Sequence, residues 1–128
     1  MIQQNGEIMK KLLLSTFLLF SFSINASTIA IFKCELLDGH KIDEVKKINS
    51  EWVKAVNKIN DSKVTSQVLE AVVSGKMQTF MYIDTYKDAI HWGQIRNEIK
   101  DGAIQPFTEE FEEVSKCSSV SLYDAEMS

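Results

Sequence analysis

Two cysteines, Cys34 and Cys117, stand more than eighty residues apart in a chain of 128 residues. If they pair, segments near the two ends of the domain must lie side by side, which removes most arrangements of the elements between them. Whether they pair depends on the compartment, and the N-terminus speaks to that. In "MKKLLLSTFLLFSFSINAS", Lys10 and Lys11 precede an apolar run over 12–22, and small residues follow at Ala26 and Ser27. This is the layout of a secretory signal peptide. The expected leader covers residues 1–26, with Met9 as the candidate start and cleavage after Ala26. Its apolar run is shorter than the ~20 residues of a spanning helix, so no membrane attachment is expected after cleavage. Export to the periplasm or the medium puts the thiols in an oxidising compartment, and one Cys34–Cys117 disulfide is expected.

What remains, residues 27–128, has the size of a single domain. Loss of Lys10, Lys11 and Glu7 takes the net charge from −4 to about −5. An acidic surface with one arginine, Arg96, disfavours nucleic acid, which is bound by neutralising phosphates with Lys and Arg.

The elements read as follows. Residues 28–36 are rich in β-branched and apolar types and predict a strand. Asp38-Gly39 is a turn signal. Over 41–60, Ile42, Val45, Ile48, Trp52, Val56 and Ile59 recur at spacings of three and four, one apolar stripe on a long helix. Residues 64–73 and 77–84 predict two strands joined by a turn at 74–76. Thr85 is a candidate N-cap for a helix over 86–100, with Tyr86, Ala89, Ile90, Gly93 and Ile99 on one side. Pro106 suits the start of a short helix over 107–114, and 120–123 predicts a last short strand. The order β-α-β-β-α-(α)-β implies an α+β fold, a ferredoxin-like βαββαβ sandwich with an antiparallel sheet and two long helices on one face. In that topology the first and last strands are antiparallel neighbours, which brings Cys34 to Cys117. The helices cover one sheet face only. In the third strand Met77, Thr79, Met81 and Ile83 lie on one face and Phe80 and Tyr82 on the other, so both faces are partly apolar and the uncovered one predicts a homodimer, sheet on sheet.

The strand ending in Cys34, "DGHKIDEV" opening a helix that contains a Trp, "FMYIDTYKDAIHWGQI", and a final "C…SLY" resemble small exported proteins of unknown function from marine bacteria. More distantly the layout is similar to dimeric α/β-barrel families of the NIPSNAP and antibiotic-biosynthesis-monooxygenase types. The resemblance implies a fold and a dimer. Those families include cofactor-free oxygenases and haem-degrading enzymes, but no catalytic set matches here residue by residue.

The residues themselves carry no recognisable catalytic motif. Cys34, His40, His91 and Cys117 form a nominal Cys₂His₂ set, yet none has a partner two to four residues away as structural zinc sites do. The acidic run Glu109, Glu110, Glu112 and Glu113 lacks a glycine-punctuated calcium loop and reads as a solvated helix face. There is no G-x-S-x-G elbow and no glycine-rich phosphate loop, so no metal and no cofactor is expected. The candidate site is aromatic: Tyr82, Tyr86, His91 and Trp92, lining a cleft for a small apolar or aromatic ligand, with Trp52 packing nearby. Three functions fit: an exported binding or accessory module, a small cofactor-independent enzyme of monooxygenase or isomerase type, or an envelope interaction protein.

Overall fold

The computed structural model describes residues 26–128, so the expected leader lies outside the described residues except for Ala26. The elements are β1 (Ala26–Leu36), α1 (Ile42–Asn57), β2 (Thr65–Glu70), β3 (Thr79–Tyr86), α2 (Ala89–Lys100), α3 (Gln105–Val114) and β4 (Ser115–Glu126). The sheet order is β2-β3-β1-β4 with every neighbouring pair antiparallel. Alternate strand residues, among them Ala30, Cys34, Phe80, Tyr82 and Tyr86, are buried against the helices. This is the expected ferredoxin-like sandwich, with α3 added to the helical layer.

α1 forms because Val45, Asn49, Trp52 and Val56 fall four, three and four residues apart and bury one face. Its start is secured by the Lys41 N–H, which donates to Glu44 Oε2 at 2.7 Å. That bond, with His40 beside it, holds the Glu44 carboxyl below its usual range. The helix stops at Asn57, short of the expected residue 60, because the Asn57 side chain takes over the hydrogen bonding. Its Nδ2 donates to the Val64 carbonyl at 3.0 Å and its Oδ1 accepts from the Val64 N–H at 2.8 Å. Asn60 and Asp61 both turn with φ of 51° in the left-handed region that their short polar side chains tolerate.

Three other boundaries move for physical reasons. β2 ends at Glu70 rather than 73 because its pairing with β3 ends at Glu70 opposite Phe80. Val72 and Val73, strand formers without a partner strand, lie 85% and 94% exposed in the connecting loop. α2 begins after Asp88, not Thr85: Asp88 Oδ1 accepts from the His91 N–H at 2.7 Å, while Thr85 and Tyr86 complete β3. The inward face of α2 is therefore Trp92, Ile95 and Ile99, and Ile90 is 74% exposed. β4 runs over twelve residues rather than 120–123, since its serine-rich first half pairs with β1 in spite of low strand propensity.

The β1–β4 ladder carries the disulfide. Cys34 and Cys117 are directly opposite, with Cα atoms 3.9 Å apart and the sulfurs joined. Cys117 is the third residue of β4, inside the strand rather than ahead of it. The register slips beside this pair, so Lys33 faces Ser119 and Ser118 is a bulge residue. The Ser118 hydroxyl donates to the Lys33 carbonyl at 3.3 Å. Without this extra residue, Cys117 and Val120 would point to opposite faces. With it, Cys117 meets Cys34 and Val120 meets Phe32 on the helical side.

The bridge closes a loop of 83 residues. Replacing both cysteines by alanine (Cys34→Ala/Cys117→Ala) is expected to lower the unfolding free energy by about 2–4 kcal/mol. Urea titration of the variant checks it, and an unchanged midpoint would contradict the structural role assigned to the bridge.

Candidate functional site

The hydrophobic core is split. One cluster gathers Ala30, Trp52, Val56, Val64, Tyr86, Ile95 and Ile104, the other Cys34, Val45, Phe80, Tyr82 and Val114, and Phe32 and Phe111 touch both. At the seam between them lies a cleft of about 310 Å³. Phe32 and Tyr82 from the sheet, Trp52 from α1 and Phe111 from α3 supply aromatic walls. Asn49 and Asp84 add polar groups in the interior, and Arg96, Glu112 and the Cys117 end of the disulfide stand at the lip.

Tyr82 is fixed by three edge-to-face contacts, with Phe80 at 5.2 Å, Phe111 at 5.4 Å and Phe32 at 6.4 Å between ring centroids. Its hydroxyl is buried and has no hydrogen-bond partner. The nearby Ser115 hydroxyl donates to the Phe111 carbonyl at 2.8 Å, and its oxygen is not placed to accept from Tyr82. Burial, reinforced by the Asp84 carboxyl, drives the Tyr82 phenol far above its usual pKa and keeps it a hydrogen-bond donor. Buried polar atoms in folded proteins nearly always find a partner. A lone donor in the wall of a cleft is an offer to a ligand.

Asp84 lies two residues further along β3 on the same face, only 5% exposed. The Asn49 amide donates to Ser66 Oγ at 2.9 Å, and the single Ser66 hydroxyl proton is donated to Asp84 Oδ1. Burial pushes the Asp84 carboxyl up to about 6, against the Ser66 hydrogen bond and the Arg96 charge, which pull it down. One buried carboxyl thus changes charge near neutrality, beside a phenol that does not.

The expected aromatic site is not one site. Tyr82 lines the cleft. Tyr86 is 2% exposed in the core, its ring edge-to-face with His91 at 5.9 Å. Trp92 packs half-buried against the same cluster. His91 borders a separate hollow formed with the α1–β2 loop. There the Ser62 proton goes to the Ile59 carbonyl, so His91 Nε2–H donates to Ser62 Oγ at 3.2 Å. This pins a loop rather than presenting a base. Asn49, Asp84 and Arg96 were not singled out from the sequence, although two of them carry a signal. Asn49 is the one polar residue on the buried stripe of α1, and Asp84 interrupts the row Phe80, Tyr82, Tyr86.

The position of Asp84 has a stability consequence. Its carboxyl binds a proton more tightly in the folded chain than in the unfolded one, with values of about 6 and 3.8. Stability is therefore lost as pH rises from about 4 through about 6 and stays lower above. Asp84→Asn removes the penalty: relative to wild type, the variant should gain up to about 3 kcal/mol on going from pH 4 to pH 7.5. Parallel urea-derived stability curves for the two proteins would refute a buried, late-titrating Asp84.

No protein-family model matches the chain, and no curated protein matches its sequence significantly. Solved structures match its fold. SnoaB, a cofactor-independent oxygenase from Streptomyces nogalater, aligns with a TM-score of 0.60 at 9% identity over 80% of this chain and 95% of that one. A conserved protein of unknown function from Bacteroides thetaiotaomicron, described as a possible oxidoreductase, gives 0.53 at 14% over 80% and 99%. A dimeric ferredoxin-like protein of unknown function from Thermobifida fusca gives 0.51 at 8% over 80% and 92%. At such identities the likeness establishes a ferredoxin-like fold and no activity.

Proposed function

We propose that this chain is an exported protein, periplasmic or secreted, that binds a compact apolar ligand bearing an oxygen function and exchanges a proton with it at Asp84. The observation that carries this is that Tyr82, with its unpartnered hydroxyl, and Asp84 stand two residues apart on the buried face of β3 and line the same cleft. The expected leader and the disulfide support export, and among the described residues no helix is long and apolar enough to cross a membrane. A ligand carbonyl placed against Tyr82 receives its O–H. The ionised Asp84 then takes a proton from the adjacent carbon, and the C–H electrons move into the carbonyl to give an enolate. Tyr82 stabilises the oxyanion. Return of the proton to the same or the conjugate carbon completes an exchange or an isomerisation, with no co-reactant required. The Ser66 hydroxyl, held by Asn49, keeps Asp84 oriented. SnoaB supports the reading to one extent only: the same fold houses a reaction run without a cofactor.

Incubation with 2-tetralone, a two-ring ketone, in D2O and monitoring of the α-protons by NMR tests this. The protein should accelerate exchange, more so above pH 6, and Asp84→Asn should lower the rate by about 10²-fold or more. Exchange by Asp84→Asn at the wild-type rate would overturn the role of Asp84.

The uncovered sheet face favours a homodimer. Ile29, Ile31, Met81, Ile83 and Leu69 alternate with the buried strand residues and form an apolar centre, with Gln67, Lys33 and Ser121 at its borders. A second copy is the proposed cover, and the dimeric protein from Thermobifida fusca supports it. Light scattering should give twice the chain mass, and Ile31→Glu/Ile83→Glu should halve it. A wild-type monomer at micromolar concentration would end the proposal.

A further inference from the structure

Resting on the cleft as a ligand site, we infer that its ligand is a monocarboxylic acid built on one or two rings, with the carboxylate held by Arg96 at the lip and an oxygen function at Tyr82 inside. Arg96 is the sole arginine of the chain. Among the described residues it makes no ion pair: the pairs that form use lysines and His40. Glu112 stands on the same lip without engaging it, so the guanidinium is open to a carboxylate that enters. Arg96 projects from α2 to border the cleft, and its charge is felt by Asp84 within. A guanidinium fork matches a carboxylate through two parallel hydrogen bonds.

The space between these two poles is apolar. Phe32, Trp52, Phe111, Ile99 and Ile104 line it. A cavity of about 150 Å³ takes one benzene ring, so about 310 Å³ suits a fused two-ring body. Glu112 at the lip and Asp84 inside repel a second acidic group, which favours one carboxylate over two. The unpartnered Tyr82 donor selects a hydroxyl or carbonyl at the far end of the ring system. The ligand class is a hydroxy- or oxo-substituted ring monocarboxylate.

Isothermal titration of the disulfide-bonded protein with 6-hydroxy-2-naphthoate and with 2-naphthol, which lacks the carboxylate, tests the inference. The acid should bind at least about tenfold more tightly, as expected for a charge-assisted bidentate pair. In Arg96→Met, an exposed position where folding is not at stake, the acid should fall to the level of 2-naphthol, whose affinity stays unchanged. Equal binding of the two probes to wild type, or an Arg96→Met variant that keeps the preference, overturns the acid class while the cleft reading stands. If neither probe binds, the cleft reading falls and this inference with it.

Discussion

β1 is the strand on which the rest of the molecule depends, because it pairs on both edges and carries the disulfide as well. It meets β3 from Thr28 to Glu35 on one side and β4 from Ala26 to Leu36 on the other. The disulfide ties this central strand to β4, which follows α3 without an intervening loop, so the bridge anchors a helix as well as a strand. Leu37 extends the connection, its N–H donating to the Val114 carbonyl at the end of α3. Phe111, Glu112 and Cys117, three walls of the cleft, all belong to this tethered segment. The covalent constraint that closes the fold therefore also sets one side of the site.

The polar seam follows from the same arrangement. α1 crosses the sheet so that Asn49 reaches Ser66 on β2, and Ser66 reaches Asp84 on β3. Three elements are joined by side chains where the two apolar clusters leave a gap. A fully apolar seam would pack better, since a buried carboxyl carries a desolvation cost that a hydrocarbon of the same volume does not. The three side chains satisfy one another, and Tyr82, whose buried hydroxyl has no partner, lines the same cleft.

Local pattern made much of this fold legible. The three-and-four spacing of Val45, Trp52 and Val56 placed α1, and the alternation through Phe80 and Tyr82 placed the two faces of β3. Oxidising export and strand order independently predicted the bridge. What escaped was set by partners distant in sequence. β4 looked short because serines carry no strand signal, and only its register with β1 extends it. Val72 and Val73 looked like strand because propensity ignores whether a neighbour exists. The aromatic group is divided between two surfaces for a related reason. Tyr86 and His91 are five residues apart and do touch, but a strand end and a capped helix start turn them away from the space Tyr82 faces. Asn49 and Asp84 were readable in principle, each a polar residue on an otherwise apolar row, but nothing local says that the two rows meet.

The choice between a structural and a functional seam can be argued from placement. A network kept only for packing specificity gains nothing from a nearby unpartnered donor, because each unsatisfied buried group costs stability on its own account. Two groups without a partner meet at one cleft. Tyr82 is unmatched inside and Arg96 at the lip, both border one cleft, and the buried Asp84 lines it with them. A cleft that gathers an unpartnered phenol, a buried carboxyl and a guanidinium on apolar walls is arranged for something that enters it.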